Sequence, residues 1–193
     1  MLVMHDHETM RFESADTFRA WLNEHQDASP GLWLILAKKD SPARTLTYAE
    51  ALEAALQYGW IDGQARRGDA ESYEQRFTPR RLRSPWSWRN RRRAEAMIAE
   101  GRMAPRGMAE VERATADGRW DRAYAGQQNA EQHPDFLAAL ERSPAAREFY
   151  ATLTRSSRYA IYYRVHEAMR AETRVRRIDN IVARLARGER IFG

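Results

Sequence analysis

Apolar side chains recur at helical spacing from Ser84 to Gly188, and no other feature of the sequence limits the fold as strongly. A serine, threonine or proline stands where each helical stretch begins, as is typical of helix N-termini. Gly101 and Gly118 follow two of these stretches and predict where they end. Helices are therefore predicted to begin near Ser87, Pro105, Pro134, Pro144, Ser156 and Thr173. The buried stripe of the last helix is predicted to consist of Val175, Ile178, Val182 and Leu185.

Strand-like patterns are confined to the first part of the chain. Residues 32–37 are continuously apolar, which is typical of a strand buried on both faces. Two more strands are predicted in GWIDGQARR and SYEQRFTPR, joined by a turn at Gly68 and Asp69. Helices are predicted after Ser14 and after Thr47, where the sequence TYAE is a capping box.

These patterns predict an α+β fold that is predominantly helical, with a small N-terminal β-sheet and its helices followed by an all-α C-terminal half. A chain of 193 residues is long enough to bury about 70% of its extended surface in one core. No Pro/Gly/Ser-rich linker divides it. We therefore expect a single domain over residues 1–193, with a mixed α/β part at 12–83 and a helical part at 84–193.

The composition excludes several classes of protein. Cysteine is absent, which excludes disulfides, thiolate metal sites and cysteine nucleophiles and fits a reducing compartment. No apolar run reaches the roughly 18–20 residues needed to cross a bilayer. The N-terminus lacks the basic and apolar regions of a secretory signal. We expect a cytoplasmic protein that does not insert into membranes.

Recognisable metal, cofactor and nucleophile motifs are missing. HExxH, GxSxG, GxGxxG and GxxxxGK[ST] do not occur, and His5 and His7 lie in a stretch expected to be frayed. The sequence predicts no metal, no cofactor and no catalytic nucleophile. Asp62 in the WIDG turn is the best candidate for a catalytic carboxylate. The alternative is a turn-capping aspartate that accepts hydrogen bonds from local backbone N–H groups.

Positive charge is concentrated between Arg76 and Arg93, where RFTPRRLRSPWSWRNRRR contains eight arginines, two tryptophans and no carboxylate. Guanidinium groups bind phosphate and carboxylate oxygens in pairs and stack on aromatic rings, so this segment predicts an anion-binding site. A helix N-terminus beside Ser87 would add free N–H groups. The alternative is structural: the tryptophans fill a gap in the core, and the arginines pair with carboxylates such as Glu71, Glu74 or Asp62.

Two other functions stay open. The net charge of +5 and the pI near 9.8 satisfy the first criterion for sequence-independent nucleic-acid binding, but no nucleic-acid-binding motif accompanies them. An enzyme acting on a phosphorylated or carboxylated metabolite would use Asp62 as a general base, with arginines stabilising the anionic group.

The chain resembles the YdeI/OmpD-associated family, which is often described as bacteriocin-protection proteins. The resemblance lies in TYAEALEAALQYGWIDG, YEQRFTPRR, SPWSWRN, EGRMAPRGMAEVERATADGRW, SSRYAIYYR and ETRVRRI, and it runs from Phe12 to Arg190. It implies a role in protecting bacteria against bacteriocins or antimicrobial peptides. Because a basic protein repels cationic peptides, we expect indirect protection through an anionic metabolite, a nucleotide or an acidic protein partner.

The resemblance also implies which residues form the site. The family motif maps onto Trp60, Asp62, Arg76, Thr78, Pro79, Arg80, Ser84, Trp86, Ser87 and Asn90, with Arg174 and Arg177 at the C-terminal end. Arg81, within the arginine-rich segment, is also predicted to bind the ligand. The chain departs from the family where Met169 replaces a lysine, and Met169 is expected to belong to the core.

Overall fold

The fold was obtained as a computed structural model, which describes residues 7–39, 41–42 and 45–191. Within those residues the chain forms four strands near the N-terminus and eight helices, so the predicted α+β, predominantly helical class is confirmed. The chain divides into two compact units. The first contains the residues up to Trp86 together with Asn90–Arg122, and the second contains Ser87–Arg89 together with the residues from Ala123 onward. The single domain expected over the whole chain stays a prediction.

Strands and helices alternate through the first unit. Its elements are β1 (Glu8–Met10), α1 (Ala15–His25), β2 (Leu32–Ala37), α2 (Tyr48–Gln57), β3 (Trp60–Arg67), β4 (Ser72–Pro79), α3 (Trp88–Ala99, which enters this unit at Asn90) and α4 (Pro105–Ala116). The predicted capping box opens α2, because Thr47 and Glu50 each accept a hydrogen bond from the other's backbone N–H. The bond from the Thr47 N–H lowers the pKa of Glu50. Gly59 follows α2 with a φ of 74°, a conformation that favours glycine.

The four strands form one sheet in the order β1-β2-β4-β3. β1 runs parallel to β2, and β4 is antiparallel to both β2 and β3. Residues opposite each other in a ladder share a face of the sheet, so Leu32 and Phe77 lie on one face while Trp33 and Arg76 lie on the other. Phe18 of α1 packs against Phe77, with ring centroids 6.0 Å apart. We call the face that carries Leu32 and Phe77 the helix-covered face, and the face that carries Trp33 and Arg76 the second face.

Four helices build the second unit: α5 (Pro134–Glu141), α6 (Pro144–Thr152), α7 (Arg155–His166) and α8 (Ala171–Ala186). Their apolar faces meet in one core. Its buried residues are Phe136, Ala139, Leu140, Ala146, Leu153, Ile161, Val165, Ile178, Ile181 and Leu185. None of the helices in the described part of the chain is both long and apolar enough to span a bilayer.

Four details of the sequence predictions were wrong. Residues 8–10 form β1, although the N-terminus was expected to be frayed. His7 directly precedes this strand, whereas His5 lies outside the described residues. Helices α7 and α8 begin one or two residues earlier than predicted. In α8 the side chain of Val175 is 51% exposed, and Ile181 is buried instead. The core partners of α8 therefore select a slightly different stripe from the one that periodicity predicts.

Candidate anion-binding site

The predicted site residues of the sheet do not share one face. Trp60 and Asp62 lie on the helix-covered face, opposite Pro79 and Phe77 respectively. Trp60 is fully buried. Asp62 is half-buried and accepts a hydrogen bond from the Tyr48 hydroxyl at 2.7 Å. Asp62 therefore belongs to β3 and is held by α2, so its prediction as a turn residue was wrong.

A β-bulge in β3 separates these residues from the rest of the strand. Asp62 pairs with Phe77, but the next pair is Ala65 with Gln75, so β3 holds one extra residue opposite Arg76. The side-chain amide of Gln75 donates to the carbonyl oxygens of Gly63 and Gln64, at 2.9 and 3.3 Å. Gln75 is buried, so its amide satisfies the carbonyl groups that the bulge withdraws from the ladder.

Replacing Gln75 with methionine should lower the free energy of unfolding by about 2 kcal/mol. Methionine has a similar shape but no donor, so the carbonyl oxygens of Gly63 and Gln64 would each lose a hydrogen bond. Urea denaturation of the variant would measure the loss. Gln64→Met is the control, because that side chain is exposed and its loss should cost less than about 0.5 kcal/mol. Equal stabilities of the two variants would contradict this account of the bulge.

The second face carries a guanidinium stacked on a tryptophan. Arg66 lies over the Trp33 ring, with its Cζ 4.0 Å from the ring centroid. Glu74 forms an ion pair with Arg66 at 2.6 Å. The Nη2 of Arg66 also donates a hydrogen bond to the Thr9 hydroxyl at 3.3 Å. Trp33 is only 9% exposed, whereas the Arg66 side chain is 43% exposed. A planar cation is therefore fixed on an aromatic ring and remains open to solvent.

Arg76 lies on the same face, directly opposite Trp33 in the ladder and diagonal to Arg66. Its Nε is buried and has no hydrogen-bond acceptor among the described residues. The neighbouring carboxylate, Glu74, is committed to Arg66. Thr78 follows on the same face two residues along β4. We call the set Thr9, Trp33, Arg66, Glu74, Arg76 and Thr78 the Arg66–Arg76 face.

The arginines after β4 are built into a stack of alternating charge and aromatic rings. Arg80 lies 3.6 Å from the centroid of the Trp86 ring, and Trp86 packs edge-on against Trp120 at 4.8 Å. Arg91 follows at 5.3 Å from the Trp120 centroid. Arg80 is 5% exposed, and its Nη1 donates to the carbonyl of Pro85 at 3.2 Å. The stack fixes the loop between β4 and α3. Trp86 fills the core as the structural alternative describes, whereas Trp88 is exposed and Arg80 contacts a ring and a carbonyl.

Arg119 anchors the same loop from its other side. Its Nη1 donates to the Ser84 carbonyl at 2.8 Å, and its Nε pairs with Asp117 at 2.8 Å. Desolvation alone would raise the pKa of Asp117, but the hydrogen bonds and charge of Arg119 outweigh it, so the pKa of Asp117 is lowered. The Ser84 hydroxyl in turn accepts a hydrogen bond from the Arg81 backbone N–H at 3.0 Å. Ser84 therefore holds the turn through both its backbone and its side chain.

The remaining members of the arginine-rich segment differ in exposure. The side chains of Arg81, Arg83 and Arg89 are exposed, whereas Asn90 is buried in the first turns of α3. Ser87 directly precedes α3 and forms an isolated β-bridge with Tyr124 in the second unit.

Arg174 and Arg177 belong to the second unit, and both contact oxygen acceptors of the same unit. Arg174 pairs with Asp135 at 3.1 Å. Arg177 donates to the carbonyl of Arg164 at 2.6 Å and lies 3.9 Å from Glu167. Within the described residues, no group of three or more histidine, aspartate or glutamate side chains is placed to share a metal ion.

Two family models match the chain. Residues 10–110 match the family described as a domain of unknown function (DUF8412), and residues 129–188 match the family described as "Bacteriocin-protection, YdeI or OmpD-Associated". The chain belongs to the first of these families, whose model matches more than half of its residues, and residues 129–188 are similar to the second. No curated protein and no solved structure matches it.

The YdeI/OmpD-associated match confirms the resemblance seen in the sequence, over a shorter range. It contains SSRYAIYYR and ETRVRRI, whereas GWIDG, RFTPRR and SPWSWRN fall within the DUF8412 match. Met169, where the chain departs from the family pattern, was expected in the core but is 63% exposed. It lies between the end of α7 and the start of α8, where no helix directs it inward.

Sequence reasoning missed Trp33, Arg66 and Thr9. Trp33 was read only as part of an apolar strand, and Arg66 only as the end of a hairpin strand. One signal was present: Trp33 is the single aromatic in the apolar run LWLILA, and an aromatic in such a run suits contact with a flat partner. The partner itself depends on the register of three strands, which no local pattern fixes.

Proposed function

We propose that the protein is a non-enzymatic cytoplasmic binder of a small anionic ligand, which it holds on the Arg66–Arg76 face. The family description, bacteriocin protection, would then be an indirect consequence of this binding. The protein carries a net charge of +5, so direct capture of cationic peptides is electrostatically unfavourable. An anionic metabolite or an acidic group of a partner protein has the complementary charge.

The observation that carries the proposal is the Arg76 guanidinium. It is partly buried on a sheet face, and its Nε has no acceptor among the described residues. A buried donor without an acceptor costs about 1–3 kcal/mol, so the fold leaves this guanidinium without a full set of partners. The accessible part of the same guanidinium can bind an arriving oxyanion. Arg66 adds a second positive charge at the diagonal position, where long side chains reach the same ligand.

Asp62 does not support the enzymatic alternative. It lies on the helix-covered face, whereas Arg76 lies on the second face, so the two side chains point to opposite sides of the sheet. The candidate general base is thus separated from the arginine that would stabilise the reacting anion. Its hydrogen bond with Tyr48 also accounts for the Asp62 carboxylate in structural terms.

Arg76→Gln should weaken the binding of inorganic pyrophosphate about tenfold. The substitution removes a charge-assisted pair of hydrogen bonds, and tenfold corresponds to about 1.4 kcal/mol. Isothermal titration calorimetry at low ionic strength, with wild type and variant side by side, would measure the change.

Arg142→Gln is the matched control, because it removes the same charge from an exposed side chain of the second unit. Its affinity for pyrophosphate should stay within about twofold of wild type, because this exposed arginine is not part of the Arg66–Arg76 face. Equal affinities of wild type and Arg76→Gln would overturn the proposal, and so would the absence of pyrophosphate binding to wild type.

A further inference from the structure

The Arg66–Arg76 face offers two different kinds of contact side by side. Arg76 is a partly buried cation with an unpaired Nε, which suits an oxyanion. Arg66 is a flat cation that already covers Trp33 with one of its faces. Its other face is turned to solvent, since 43% of the side chain is exposed.

The orientation of Arg66 is fixed from three directions. Trp33 supports its plane at 4.0 Å, Glu74 holds its charged end at 2.6 Å, and Thr9 accepts a hydrogen bond from Nη2 at 3.3 Å. Three supports for one exposed side chain reduce the entropy that it would lose on stacking against a ligand. A guanidinium plane held in this way is a stacking surface for an aromatic ring.

We propose that the ligand of this face is an aromatic anion, in which a planar ring stacks on Arg66 and a phosphate or carboxylate group binds Arg76. This inference rests on the proposed function and narrows its ligand class. A nucleoside monophosphate has the required chemistry, because its base is planar and its phosphate is separated from the base by a sugar. The two arginines are diagonal neighbours in the sheet, with backbones about 7–8 Å apart, and their long side chains can contact different parts of one such molecule.

The ion pair between Glu74 and Arg66 explains why Glu74 does not repel the ligand. Glu74 lies between Arg66 and Arg76 along the face, but its carboxylate is bound to Arg66. With two arginines and one glutamate, this row keeps one net positive charge. An anion of charge −1 to −2 therefore meets a favourable local field.

The test compares two probes, adenosine 5′-monophosphate and ribose 5-phosphate. Wild type should bind the nucleotide about tenfold more tightly than ribose 5-phosphate, because stacking of one base contributes about that much. Arg66→Lys keeps the charge but removes the plane. It should bring the ratio of the two affinities to about one, because only the nucleotide loses a stacking surface.

Arg67→Lys is the control, because it makes the same substitution at the next residue of β3, whose side chain is exposed. Its ratio should equal that of wild type. If wild type binds both phosphates equally, the stacking inference is overturned while the proposed function stands. If neither phosphate binds, both are overturned. Much tighter binding of a single-stranded oligoadenylate with steep salt dependence would assign the face to nucleic acid and overturn the small-ligand inference.

Discussion

Trp86→Ala should lower the free energy of unfolding of the first unit by about 4 kcal/mol, within the range observed when large buried side chains are truncated. Trp86 is 1% exposed and lies between the Arg80 guanidinium and the Trp120 ring. Its removal leaves a large cavity and takes away the ring that faces a buried cation. Guanidinium chloride denaturation followed by circular dichroism would measure the loss.

The neighbouring Trp88 provides a control of the same residue type in the same motif, SPWSW. Its side chain is 46% exposed, so Trp88→Ala should cost less than about 1 kcal/mol. The two substitutions remove the same atoms and differ only in burial. If they destabilise the protein equally, the stack described for Arg80, Trp86, Trp120 and Arg91 does not hold the loop.

Gly107→Ala should destabilise the protein by about 3 kcal/mol, at the upper end of the usual cost of overpacking. Gly107 is buried in α4, and an added Cβ would lie 2.2 Å from the carbonyl oxygen of Gln57 at the end of α2. That oxygen also accepts a hydrogen bond from the Ala104 N–H, so it is held in place. The helices would have to separate, and a thermal unfolding scan should record a much lower midpoint.

Gly126→Ala is the corresponding control. No atom lies within 4 Å of the position where its Cβ would be, and its φ is not positive. The substitution should leave the midpoint nearly unchanged or raise it slightly, because alanine reduces the entropy of the unfolded chain. A Gly107→Ala variant as stable as Gly126→Ala would show that α2 and α4 do not meet at Gln57.

Local features of the fold were predictable from the sequence. The N-cap at Ser14, the capping box at Thr47, the strand at residues 32–37 and the hairpin turn at Gly68 depend on side chains within a few residues of each other. Such interactions can be read without knowledge of the rest of the chain. The same reasoning located the helices of the second unit to within two residues.

Features that depend on distant partners were not predictable in this way. β1 has only three residues, and it is a strand because β2 lies parallel beside it. In α8, periodicity alone cannot decide between Val175 and Ile181, since the position of the neighbouring helices determines which side is buried. Met169 was expected in the core, but it follows the end of α7, where helical periodicity no longer determines which side chains are buried.

The candidate site shows the same limit more strongly. The sequence drew attention to Arg76 and Thr78, because the segment around them is rich in arginine. It grouped them with Trp60 and Asp62, which lie in the neighbouring strand β3 of the same hairpin but on the other face of the sheet. Only the sheet register reveals that Arg76 belongs with Trp33 and Arg66.

The extra residue in β3 has a consequence for every relative of this chain. Strict alternation of side chains from Trp60 and Asp62 would direct Arg66 toward α1 and α2. The extra residue reverses this alternation for the rest of β3, so Arg66 instead contacts Trp33 on the second face. A homologue one amino acid shorter between these positions would turn the same arginine to the opposite side. The length of this short segment, more than the identity of its side chains, therefore marks which family members retain the stacked pair.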